Sequence, residues 1–328
     1  MSLSRRILLA SVALSAVLAG SGPLAADEPL QVVASIGILG DMVSVVGGDR
    51  VHVDTLVGAG EDAHVFDPAP ADARKLAAAD LVVVNGLGFE GWMARLVKAS
   101  GYEGEVVVAS QGVTPLPGED ADGNHHDKDE EDHHDEDDAL AEDHEEGHHH
   151  HGDVDPHAWQ DLANGEIYVK NIADALSAAD PEGADLYAAN AAAYLAEMSA
   201  LNAEIHATMD ALPPEARTIV TSHDAFGYFG HAYGIVFLAP EGMNTEDEPS
   251  AAEVAALIEQ IEHDRIAAVF VENITDNRML ERIAEDTGVV VGGTLYSDSL
   301  SAPDGPAATY LAMMRHNAMT LATALQAF

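Results

Sequence analysis

From Leu30 onward, short apolar runs alternate with longer stretches in which apolar residues recur every three or four positions. That alternation predicts strands and helices of parallel α/β sheets. Residues 31–36 read as a first strand, followed by a helix through Met42 and Val46 that stops at Gly47-Gly48. A second strand is predicted at 51–57. A long loop, 58–70, leads to a helix over 71–78, a strand at 81–84, a helix around 92–98 and a strand at 105–109. These make one complete lobe. Residues 181–212 then predict a single long helix, because Tyr187, Asn190, Tyr194, Met198, Leu201, Ile205 and Met209 fall on one face. Roughly 30 residues at 1.5 Å each span about 45 Å, more than one lobe needs, so the helix is expected to join two. Pro213-Pro214 ends it. The alternation resumes with strands at 218–222, 235–238 and 266–271 and a last one from Val289. Its helices are opened at Ser250 by a capping box with Glu253, run from about Asp276 to Gly288, and close the chain over 306–327. The predicted fold class is α/β, with two α/β lobes (27–180 and 213–328) and a rigid helix, 181–212, between them. The halves share an architecture but no sequence period.

Two segments break the pattern. Residues 1–26 read as an export signal: Arg5 and Arg6 precede an apolar stretch, 7–20, and the small pair Ala25-Ala26 offers a cleavage site before Asp27. A membrane anchor is the alternative, but Gly20-Ser-Gly-Pro23 interrupts the run short of the about 20 apolar residues a span requires. Ser4-Arg5-Arg6 leaves the export route open between the general secretory and twin-arginine systems. Residues 119–153 carry 17 Asp or Glu, nine His and one Lys, with almost nothing apolar. Such a segment cannot offset its ordering entropy by burial and is expected to be a disordered surface loop within the first lobe.

Charge narrows the functional classes. Across 328 residues, 57 acidic side chains face 14 basic ones, two of which leave with the signal. This balance repels nucleic acid and anionic membranes and attracts cations. The chain has no cysteine, which excludes disulfides, thiolate metal sites and a lipid-bearing N-terminal cysteine, and predicts a protein free in its compartment.

Eight histidines lie outside the acidic loop: His52, His64, His157, His206, His223, His231, His263 and His316. Three stand among turn residues or at a strand end, in Gly60-Glu-Asp-Ala-His64, Asp153-Val-Asp-Pro-His157 and Val220-Thr-Ser-His223. Ligands of open α/β sheets gather at the carboxyl ends of strands. Asp298, in Tyr296-Ser-Asp-Ser-Leu-Ser301, follows the last strand in the same way. Three neutral imidazoles and one carboxylate fill a four-coordinate shell suited to zinc, whereas manganese and magnesium prefer oxygen. Local sequence leaves each position open. His64 reads equally as a loop histidine, His157 as a helix cap, His223 as a core residue and Asp298 as a turn residue or N-cap. His52, His206, His263 and His316 read as structural or surface residues, and His231 is the nearest competitor of His223.

Four motifs standing in order carry a resemblance: Asp62-Ala-His-Val-Phe-Asp-Pro68, Asp155-Pro-His-Ala-Trp159, Thr221-Ser-His-Asp-Ala-Phe-Gly-Tyr228 and Leu295-Tyr-Ser-Asp-Ser-Leu300. From about Val32 to the C-terminus the chain resembles the zinc-specific solute-binding proteins of metal ABC importers, in the zinc/manganese-binding adhesin-like family. The resemblance implies metal coordination by His64, His157, His223 and Asp298, at an interface between two lobes bridged by a rigid helix. It implies zinc, because manganese-type relatives carry glutamate at the third position. It also implies a monomer in the periplasm that meets a membrane permease and an accessory zinc chaperone. A histidine- and acid-rich loop is typical of zinc-specific members, and here it offers His125, His126, His133, His134, His144, His148, His149, His150 and His151 as weaker auxiliary ligands. One departure is the missing cysteine pair, which some zinc-specific relatives form into a disulfide.

Two rival classes are weighed against this reading. A zinc hydrolase or lyase needs an open coordination position and a general base; Asp298 would fill the position, no HExxH helix is present, and Glu61 and Asp224 are the bases on offer. An adhesin could bind partners through the exposed acidic loop, but the chain shows no adhesive repeat; separately, the loop could be a mere solvated linker. No enzymatic activity is therefore expected, and affinity for zinc should fall below about pH 6 as the imidazoles protonate.

Overall fold

The computed structural model describes residues 28–118, 154–245 and 249–326, so the export signal and the acidic loop lie outside the described residues. The first sheet holds β1 (Leu30–Ile36), β2 (Val51–Val57), β3 (Leu81–Val84) and β4 (Glu105–Val108), all parallel, in the order β2-β1-β3-β4. Burial follows position in the sheet. β3, all valine and leucine, is buried throughout, whereas β2 at the edge turns His52 and Asp54 outward. The second sheet repeats the plan with β5 (Thr218–Val220), β6 (Val236–Leu238), β7 (Ala268–Glu272) and β8 (Val290–Leu295), ordered β6-β5-β7-β8. In each sheet the chain runs to one side and then the other of its first strand, which opens a crevice at the strands' carboxyl ends.

Helices α1 (Gly37–Gly47), α2 (Pro70–Ala77) and α3 (Met93–Ser100) follow the first three strands. α1 buries Ile38, Leu39, Met42, Val43 and Val46 and stops where Gly48 takes a φ of 54°. The sequence reading assigned no element between Val154 and Asp180, where the structure has α4 (Leu162–Ala179), capped by Asp161, whose side chain accepts the N–H of Ala163. The long helix α5 (Ala184–Asp210) is preceded by a 3-10 turn at Pro181–Gly183, so it is shorter at both ends than the expected 181–212. Its 27 residues still span about 40 Å. The buried face is the expected one except at Asn190, which is half-buried and donates to Val46 O of α1 (2.9 Å), while Ala191 takes the buried position.

The second half adds α6 (Gly227–Tyr233), which was not anticipated, then α7 (Ala251–Asp264) with the expected Ser250–Glu253 capping box, α8 (Arg278–Thr287) and α9 (Tyr310–Leu325). α5 packs against α1, α4, α6 and α9. Tyr233 Oη of α6 donates to Asn202 Oδ1 of α5 (2.8 Å), and Arg315 of α9 pairs with Glu204 of α5. As a result the main hydrophobic core is continuous from Val32 to Leu325 and runs through both lobes. A smaller core, with Leu257, Ile261, Val269, Leu280 and Ile283, lies under α7 and α8. α4 and α9 approach closely at Gly165, where a Cβ would stand 2.5 Å from the Tyr310 hydroxyl.

Candidate metal centre

Each candidate ligand is held by a local device that follows from its sequence. In the loop after β2, Asp62 Oδ1 accepts the N–H of His64 (2.9 Å), and the Trp92 indole donates to Ala63 O (2.8 Å). The same loop is tied to the other lobe: Gly60 N–H donates to Ser299 Oγ (2.7 Å), Ser299 Oγ donates to Gly58 O (3.1 Å), and Thr245 Oγ1 donates to Asp62 Oδ2 (2.6 Å). Before α4, Asp155 Oδ1 accepts the N–H of His157 (2.9 Å) and faces its Nδ1 (2.8 Å). Beyond His157, the side chains of Trp159 and Gln160 both donate to Ser297 O, beside Asp298 (3.0 and 2.7 Å). Asn317 of α9 clamps the backbone of Tyr296 from both sides, which steadies the turn carrying Asp298.

His223 follows β5, where the pairing of β5 with β7 has narrowed to the single register pair Val220↔Val269. Beyond that pair a side chain takes over from the ladder. Glu272 Oε1, at the end of β7, accepts the N–H groups of both Ser222 and His223 (2.9 Å each).

All four sequence candidates converge. His64 Nε2 and His223 Nε2 each lie 3.2 Å from Asp298 Oδ2, His157 Nε2 lies 3.4 Å from His64 Nε2 and 3.6 Å from Asp298 Oδ1, and all four donor atoms fall within 4.8 Å of one another. A tetrahedral ion bound at about 2.0–2.1 Å would separate its ligands by about 3.3–3.4 Å, so the cluster has the size of one coordination sphere. The side chains of His157, His223 and Asp298 are fully buried and that of His64 is 5% exposed. Phe89 packs edge-on against His64 and His157, and Trp159 against His157, so the pocket wall is apolar. Asp298 Oδ1 is buried without a hydrogen-bond partner, a costly state that a bound cation would relieve.

The electrostatics of the cluster favour charged imidazoles beside an ionised Asp298. Burial opposes the charged form of His157, but the charges of Asp298 and Asp155 overcome it and push the ring up to about 9. Burial likewise opposes a charged His223, and Glu272 with Asp298 hold it well above its ordinary value. Burial alone would raise Asp298, yet His157 and His223 keep it well below the usual carboxylate range. The buried carboxylates thus hold both rings toward the charged form, and a cation among the four donors would meet the same negative charge.

The remaining described histidines stand apart from this group. His52, His206, His231 and His263 are exposed on β2, α5, α6 and α7, and His316 of α9 contacts Thr294 O (3.1 Å). The nine loop histidines lie outside the described residues. What the sequence did not reveal is the supporting cast: Glu272 and Phe89 come from distant segments, and no local spacing marks them. Asp155 was visible in its motif, as the acid two residues before a histidine.

Comparison with known proteins adds four findings. The family model described as "ZnuA: Zinc-uptake complex component A periplasmic" matches residues 32–324. The chain is 34% identical over 298 residues to "Manganese-binding lipoprotein MntA" of Halalkalibacterium halodurans (91% of this chain, 89% of the relative). It is 31% identical over 299 residues to "Iron ABC transporter substrate-binding lipoprotein MtsA" of Streptococcus pyogenes (89% and 88%). Among solved structures, the periplasmic zinc-binding protein TroA of Treponema pallidum superposes with a TM-score of 0.78 at 28% identity, covering 90% of this chain and 99% of that one.

Proposed function

Because the chain belongs to the family of the periplasmic component A of zinc-uptake complexes, the solute-binding proteins of metal ABC importers, we propose that its cargo is zinc. Its task is metal binding for import, not catalysis. The observation that carries the zinc reading is the donor set. Three imidazole nitrogens and one carboxylate converge in a buried cluster of tetrahedral size, and that mixture suits zinc better than an oxygen-seeking ion. His64, His157, His223 and Asp298 are the proposed ligands, and capture at the lobe interface is followed by delivery to a membrane permease. An accessory zinc chaperone is a further proposed partner. The location that goes with this is the periplasm, after cleavage near Ala26. Relatives named as lipoproteins differ from this chain, whose 328 residues include no cysteine.

A manganese reading has its own support in the relative named manganese-binding at 34% identity. The two readings separate in one titration. The metal-free protein lacking residues 119–153 is titrated with zinc in competition with manganese. One zinc per chain should bind tightly and resist about a hundredfold excess of manganese, as expected of a nitrogen-rich shell. No zinc bound at micromolar concentration, or zinc displaced by stoichiometric manganese, would overturn the zinc assignment.

The nine histidines of residues 119–153 are proposed as weaker auxiliary sites that gather zinc near the main one. The full chain should therefore show additional weak zinc sites that vanish on deletion, with the tight site barely changed. Equal total stoichiometry with and without the loop would leave it a solvated insertion.

A further inference from the structure

The three histidines of the cluster differ in how their orientation is secured. Asp62 stands two residues before His64 and accepts its N–H; Asp155 stands two before His157 and accepts its N–H while facing its Nδ1. The corresponding position before His223 is Thr221, which has no carboxylate. Its hydroxyl instead donates to His223 O (3.1 Å). The missing acid is supplied from across the sheet. Glu272, fully buried and 49 residues away, accepts the N–H of His223 with Oε1 and places Oε2 2.8 Å from its Nδ1. At that distance neither Oε2 nor Nδ1 has a completed hydrogen bond.

Resting on the zinc reading above, we propose that Glu272 is the positioning residue of the third ligand: it keeps the His223 proton on Nδ1, leaves the Nε2 lone pair facing the cluster, and thereby favours a nitrogen-seeking ion over an oxygen-seeking one. A carboxylate can only accept from the Nδ1 proton, so it selects this tautomer. It also adds a negative charge behind a neutral ligand without occupying a coordination position. Glu272→Gln reverses the polarity at unchanged shape. Its oxygen can still take the two backbone N–H groups, while its NH2 donates to Nδ1 and drives the ring proton to Nε2, where the ion would bind.

The test uses the full chain in two arms. In the first, zinc and manganese affinities are measured for wild type and Glu272→Gln, with cobalt(II) absorption as a readout of coordination geometry. Zinc affinity should fall about 10- to 100-fold, as for other residues that orient a ligating histidine. The zinc-to-manganese ratio should fall with it, and the tetrahedral cobalt bands should weaken. Zinc affinity within about twofold of wild type, outside the 10- to 100-fold range for such partners, overturns the proposal. The second arm needs no variant. Long-range nitrogen-15 NMR of the zinc-loaded wild type should find the His223 proton on Nδ1, and a proton on Nε2 overturns the proposal even if the variant does not fold. Wild type that binds no zinc at all would instead reject the functional reading on which this inference rests.

Discussion

Replacing His223 by alanine is expected to lower zinc affinity by well over the about 100-fold that loss of an outer partner costs, while replacing His231 leaves it within about twofold, far below that range. His223 Nε2 lies 3.2 Å from Asp298 Oδ2 inside the cluster, and its ring is fully buried. His231 is exposed on α6 and belongs to no group of converging ligands among the described residues. Alanine at 223 removes one of four donors and leaves Glu272 and Asp298 as two buried carboxylates with no imidazole between them. Asp298→Asn should be as severe, because Asp298 oxygens approach all three rings. Isothermal titration of the chain without residues 119–153 measures both effects free of the loop. Equal losses at 223 and 231 would mean that the ligand set has been misread.

The second large effect is on pH. An ordinary histidine value near 6.5 places the onset of proton competition near pH 6, but the buried carboxylates move it up: His157 titrates at about 9 and His223 higher than its ordinary value. Zinc needs neutral rings, so below about pH 9 it must displace a proton from His157, and apparent affinity should fall by about tenfold per pH unit, more steeply where His223, also raised, is protonated too. The empty protein should respond with the opposite sign. His157 has a folded value of about 9 against an unfolded one of about 6.5. Its contribution to stability is full below pH 6.5 and is lost as pH rises through 9. Asp298 is held low, so its contribution is present above the ordinary carboxylate range and is lost only as pH falls beneath it. Zinc affinity that stays flat between pH 9 and 7 would show that His157 is neutral in the metal-free protein.

Legibility of the fold tracked the range of the interactions involved. β2 and β3 match their predicted spans because edge alternation and a buried valine run are local signals. α4 has a usable apolar face in Tyr168, Val169, Ile172 and Leu176. It lies, however, just after the acidic segment, amid alanine and polar residues that dilute its period. α6, with seven residues of which four are aromatic or histidine, is too short to show a period. At the site, the four candidate ligands were visible because each sits in a turn-rich motif at a strand end or segment start. Their convergence was not, since His64 and Asp298 are 234 residues apart and meet only once both sheets are formed. Glu272 was invisible for the same reason: a glutamate ending an apolar strand reads as a surface residue until β5 and β7 are set side by side.

The hydrophobic core that runs unbroken from Val32 to Leu325 has a calorimetric consequence. Lobes that share one interior cannot melt separately, so heating should give a single endotherm in which the van't Hoff and calorimetric enthalpies agree. An ion bound between the lobes then acts on the whole transition, raising it by about 2.7 kcal/mol when free metal stands at a hundred times its dissociation constant. Melting temperature becomes a direct gauge of occupancy for the entire chain.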